Sequence, residues 1–245
     1  MIMDMSVRKI LPEYTSKQVY VVSYYKVGHS ATRGFTTPLE TVTAPTSDLL
    51  ELIQQGDAQE IIYVVRHPAD RLLSGIKQLT LNQSGFKMFS DNPEDTWQSK
   101  YISQADTVSI LHDRLFWQQS LDIDNDIFSN LTSDPHTKNY LATVEQLYQT
   151  SESAGISQHI VDIRHMNYYF AQQNMRCYQI NPSPFSHMIN SVIVNILTEM
   201  PLLTELLQNH IKQELEIYNS LTDTQGYPEP DELDQAWDFK QLLRG

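Results

Sequence analysis

An arginine at the end of a strand and a serine on the helix that follows can hold one anion between them. This chain has such a pair eight positions apart, Arg66 and Ser74. The guanidinium offers a charged fork and the hydroxyl a neutral donor. A second set lies forty residues upstream, in Lys26-Val27-Gly28-His29-Ser30-Ala31-Thr32. There Gly28 lets the backbone approach an anion, the N–H groups of residues 28–32 can point at it, and Lys26 adds a mobile charge. Ser30 or Thr32 is suited to cap a short helix whose start contributes partial positive charge. Two such corners imply a ligand with two separate phosphate-like groups. The lysine precedes the glycine, so the segment is not a Walker A loop. The competing use of Arg66 is a structural ion pair with Asp70.

These residues need a sheet edge to hold them. Gln18 to Tyr24 reads as the first strand, entering the Lys26 loop, and Ile61 to Val65 as a continuous apolar strand buried on both faces. Pro68 ends that strand's run, and Leu72, Leu73, Ile76 and Leu79 recur at helical spacing. Ser47 to Gln55 reads as a helix, Gly85 to Lys100 as a polar loop, and Ala105 to Ser120 as a helix. Asp122 to His136 is loop-like, and His159 to Ile163 is a strand leading into a helix at Tyr168-Tyr169-Phe170. Leu203, Leu207, Ile211, Leu215 and Tyr218 line one face of a long helix. The expected fold is α/β, a P-loop-like three-layer α/β/α arrangement with a mainly parallel central sheet and helical additions. Ligands of such sheets bind beyond the carboxyl ends of the strands, where Lys26 and Arg66 fall. One domain is expected over 1–245, with a loosely packed Pro- and acid-rich tail at 226–245.

Composition narrows the partners. The 245 residues carry a net charge of −13, which disfavours nucleic acid, since a phosphate backbone needs a basic surface. The acid gathers late, at Glu214, Glu216, Asp223, Glu229, Asp231, Glu232, Asp234 and Asp238, and reads as a solvated C-terminal surface. No apolar run approaches the roughly 18 residues of a membrane span, and the start has no signal-peptide pattern. Cys177 is the one cysteine, so no disulfide forms within the chain. A cytoplasmic setting is expected, with peripheral membrane association left open. No histidine or carboxylate cluster has metal-ligand spacing, so no metal is expected.

The two segments resemble the signatures of the PAPS-dependent sulfotransferases, in particular the carbohydrate (type 2) branch. In that family a Lys-x-Gly-x-(Ser/Thr) loop holds the 5′-phosphosulfate, and an Arg-(Asp)-Pro-x-x-Arg-x-x-Ser segment holds the 3′-phosphate. The resemblance implies that Lys26, Gly28, His29, Ser30, Ala31 and Thr32 contact the 5′ group, and Arg66 and Ser74 the 3′ phosphate. Asp134-Pro135-His136 is similar to the family's Asp-x-His segment near the acceptor. This chain departs from the pattern at Tyr25, where a proline is common, at His29, at His67 in place of aspartate, and at Thr137-Lys138, where the family has Pro-Gln.

What the resemblance implies is sulfuryl transfer from PAPS to a hydroxyl of a carbohydrate or glycoconjugate, leaving PAP. Lys26 would neutralise charge on the leaving oxygen, and His136, oriented by Asp134, would take the acceptor's proton. His29 is the rival base, and His67 supports the strand–helix turn. Two alternatives stand beside this one. A nucleotide-dependent phosphotransferase would need magnesium ligands, for which Thr32 and Asp162 are the nearest stand-ins. A catalytically silent protein would bind PAP without turnover.

Overall fold

The computed structural model describes residues 5–24, 27, 31–37, 43–44, 46–83, 128–129, 132, 137–178, 186–222 and 237–244. The chain divides into two compact units. The first comprises 1–68, 139–181 and 212–232, and the second 69–138, 182–211 and 233–245.

A mixed sheet forms the centre of the first unit. Its strands are β1 (Met5–Lys9), β2 (Val19–Ser23), β3 (Thr43–Ala44), β4 (Glu60–Val65) and β5 (Ser157–Asp162), in the spatial order β3-β1-β2-β4-β5. β2, β4 and β5 run parallel, with Val22 beside Tyr63, Tyr63 beside Ile160 and Val65 beside Asp162. β1 is antiparallel to both β2 and β3. The protein is therefore α/β, but the sheet is mixed where a mainly parallel one was expected, and the first strand precedes Gln18. The connection 10–18 explains the antiparallel pair: it is too short for the crossover of a dozen or more residues that a parallel neighbour requires.

β4 is the spine of the core. Ile61, Ile62, Tyr63, Val64 and Val65 are all buried, so side chains on both faces are covered, as its unbroken apolar run predicts. The Tyr63 hydroxyl bonds the Ser151 hydroxyl at 2.6 Å. Burial pushes the phenol up to about 12, the Ser151 bond opposing it.

The helices are α1 (Thr46–Gln54), α2 (Pro68–Gln83), α3 (Leu141–Ser153), α4 (Met166–Ala171), α5 (Ser186–Thr198), α6 (Pro201–Thr222) and α7 (Trp237–Arg244). Pro68 opens α2 in its first turn, where a missing N–H costs no helical bond. Between α3 and β5 the chain reverses at Gly155, whose φ of 73° suits a residue without a side chain. A 3₁₀ turn, Ile163–His165, joins β5 to α4.

In the second unit α5 and α7 pack together. The expectation of a loosely packed tail fails for Trp237–Arg244. Leu243 is buried, the Leu242 carbonyl accepts a bond from Gln208 at 2.9 Å, and buried Lys240 meets Asp70 at 3.0 Å. Leu243 and Lys240 are three apart on one helical face, so an apolar anchor and an ion pair dock it together. Within 122–136, expected to be loop, Phe128, Ser129 and Thr132 are helical. The rest of that stretch, the Gly85–Lys100 loop and the 105–120 helix lie outside the described residues. Among the described residues no helix is long and apolar enough to cross a membrane.

Candidate functional site

Because β2, β4 and β5 are parallel neighbours, their carboxyl ends share one edge of the sheet. One residue fastens two of those ends. Tyr140 stacks flat on Tyr24, the residue after β2, with ring centroids 5.0 Å apart and planes 5° from parallel. Its hydroxyl accepts the backbone N–H of Arg66, the residue after β4, at 3.0 Å. Both tyrosines are buried, so the stack and the bond are shielded from competing water.

Tyr140 is itself held by Glu214. One oxygen of that carboxylate accepts the backbone N–H groups of Tyr140 at 2.6 Å and Leu141 at 2.5 Å. It thereby caps α3, whose own N-cap side chain makes no capping bond. Glu214 is 3% exposed, which corrects its expected place on a solvated acidic surface. The signal was present in the sequence: Glu214 lies three residues after Ile211 and four before Tyr218, on the apolar stripe of α6.

The third strand end carries a polar network. Both oxygens of buried Asp162 are engaged. Oδ1 accepts the backbone N–H of Arg164 at 2.7 Å and its Nε at 3.0 Å, and Oδ2 accepts Arg164 Nη2 at 3.4 Å and the Tyr218 hydroxyl. Arg164 Nη2 also donates to the Tyr218 oxygen at 3.0 Å. Burial alone would ease the proton from Arg164, but the bond and charge of Asp162 outweigh it and hold the guanidinium firmly charged. Burial, and then the Asp162 charge, pushes the Tyr218 phenol far up. His67 lies edge-on to the Tyr218 ring, with centroids 5.2 Å apart. The Asp-x-Arg spacing at a strand end was the available sign of this network.

The residues expected to do chemistry are distributed as follows. Lys26, Gly28, His29, Ser30, Asp134 and His136 lie outside the described residues. Val27 is fully buried and donates its N–H to the Tyr24 carbonyl at 3.0 Å. Ala31 accepts from the Tyr178 N–H at 2.7 Å, and the carbonyl of buried Thr32 accepts the N–H groups of Phe35 and Thr36, both at 3.2 Å. Residues 31–35 are thus a turn, not the helix start expected at Ser30–Thr32. Core residue Phe35 is paired with Leu11 and Thr36 bridges to Ile10, and these extended contacts stop a helix from propagating. The helix-dipole contribution expected at this corner is correspondingly lost.

Arg66 is half-buried in the first unit, and Ser74 is half-buried on α2 in the second. Arg71, the second arginine of the motif, is buried and donates to the Lys138 carbonyl at 2.5 Å. Asp70, the partner considered for Arg66, is engaged by Lys240.

The first unit also has an open cleft of about 540 Å³ lined by Tyr14, Gly34, Asn174, Arg176, Cys177 and Tyr178. None of the residues expected to bind the donor or take the proton lines it. Burial pushes the Cys177 thiol up to about 11, which keeps it protonated and poorly nucleophilic near neutrality. No family model, curated protein or solved structure matches the chain.

Proposed function

We propose that the protein is a PAPS-dependent sulfotransferase acting on a hydroxyl-bearing acceptor, with a carbohydrate or glycoconjugate as the substrate class. The observation that carries this reading is the shared edge. In sequence Lys26 to Thr32 follow β2 and Arg66 follows β4, its parallel neighbour, and Tyr140 ties Tyr24 to the Arg66 backbone. A donor with anionic groups at both ends suits two such corners. The proposal extends to a P-loop-like, three-layer architecture and to a cytoplasmic setting.

In this mechanism the acceptor oxygen attacks sulfur in line as the bond from sulfur to the bridging oxygen breaks. PAP leaves with the electron pair of that bond. Lys26 neutralises charge on the bridging oxygen, and His136 receives the acceptor's proton. Arg66 holds the 3′-phosphate, while Gly28, His29, Ser30, Ala31 and Thr32 line the 5′ group. The phosphotransferase alternative is weakened at Asp162, because its carboxylate is already taken up by Arg164 and Tyr218.

The test is PAP binding by calorimetry, followed by transfer from labelled PAPS to simple sugars. Arg66→Ala should weaken PAP binding by about 2–4 kcal/mol through loss of charge-assisted bonds. Lys26→Ala and His136→Ala should abolish transfer while binding persists. Unchanged PAP affinity in Arg66→Ala removes the cofactor assignment. Binding without transfer to any hydroxyl compound makes the protein a silent PAP binder.

A further inference from the structure

Arg8 is a charged side chain at 3% exposure, and two of its three guanidinium nitrogens meet no acceptor among the described residues. On β1 it lies opposite Val21 of β2. Its Nη1 donates to the Thr36 hydroxyl at 3.4 Å, and that hydroxyl in turn donates to the Thr32 carbonyl at 2.9 Å. Nε and Nη2 are buried and find no hydrogen-bond partner among the described residues, and no carboxylate among them pairs with the group. These two nitrogens form the edge of a guanidinium that takes an oxyanion side-on. Arg164 uses the same two nitrogens to grip Asp162.

Two serines share that face of the sheet with buried Val21. Ser6, two positions before Arg8 on the same sheet face, has a buried hydroxyl with no partner among the described residues. Ser23, directly opposite Ser6, is buried on that face as well. Exposed Arg33 adds a second positive charge. Burial, and then Arg33, both ease the proton from Arg8. An unpaired buried cation is costly, and a bound anion offsets that cost.

We propose that Arg8, with Ser6 and Ser23 beside it, forms a binding site for a tetrahedral oxyanion, sulfate or phosphate in class, on the β1–β2 face of the sheet. The site does not depend on the nucleotide reading. Its anion is either free in solution or an anionic group of a nucleotide.

The experiment is a thermal-shift titration of the full chain with sodium sulfate, against sodium chloride at matched ionic strength. Sulfate stabilises folded proteins generally and without saturation, so the saturable part of the response is the readout. Wild type should show it. Arg8→Met should melt no lower than wild type in chloride and lack the saturable part. Arg8→Lys retains the charge without the fork and should bind sulfate about tenfold more weakly, and it carries the test should the methionine variant fail to fold. A wild type without a saturable response, or substitutions that leave it intact, overturns the proposal. PAP titrated in parallel tells the sources apart: a PAP response lost with Arg8 assigns the anion to a nucleotide, and one that survives assigns a free anion. Both outcomes uphold the site.

Discussion

Tyr140 shows how much one side chain can organise. Its ring supports Tyr24, its hydroxyl receives the Arg66 N–H, and its own N–H is held by Glu214. Tyr140→Phe retains the stack but leaves the Arg66 N–H without its acceptor. Urea unfolding should register a loss of about 1–2 kcal/mol. Under the proposed function the same variant should weaken PAP binding severalfold, because Arg66 then sits on a less constrained backbone. Tyr140→Leu, which also removes the stack, should cost about 1 kcal/mol more. Equal stability of wild type and Tyr140→Phe would remove the clamp from this account. The sequence could not announce Tyr140, because the contacts that make it a clamp reach residues 24, 66 and 214, and no local pattern encodes them. Arg66 was legible because a β-branched run, a proline and a helical period surround it.

At the scale of elements, the helices and parallel strands were readable wherever apolar period and burial coincide. β4 and α6 are the clearest cases, where one continuous run or one stripe makes the local pattern. β1 was missed because Met5–Lys9 is five residues long and mixes two cations with its apolar positions. Pairing with β2, rather than propensity, makes it a strand. The expected helix start at Ser30–Thr32 failed for the converse reason, since Phe35 and Thr36 are claimed by the first strand's continuation. Glu214 gives an element-scale test of tertiary capping. Glu214→Ala leaves the two N–H groups at the start of α3 without their acceptor and should cost about 2–4 kcal/mol. Glu214→Gln keeps an acceptor oxygen and should cost about 1 kcal/mol. Urea midpoints that place both variants beside wild type would show that α3 is held without this cap.

For the molecule as a whole, the charge of −13 gives acidification two opposing effects. Protonating carboxylates first relieves self-repulsion, which favours the folded chain. His210 acts in the other direction. Burial lowers its affinity for a proton, a bond to the Thr137 backbone partly restores it, and the Arg71 charge lowers it again. The Phe128 ring lies edge-on to the imidazole at 5.9 Å. Folded His210 therefore holds its proton less tightly than the unfolded chain, whose imidazole titrates near 6.5. Below that pH the unfolded state binds more protons, so stability falls as pH falls, until the folded imidazole also titrates. His210→Gln keeps a donor for the Thr137 carbonyl and has no such proton to gain. Between about pH 7.5 and 5.5 wild type should lose more in melting temperature than His210→Gln, the carboxylates contributing equally to both. Parallel losses in the two proteins would mean that His210 titrates alike folded and unfolded.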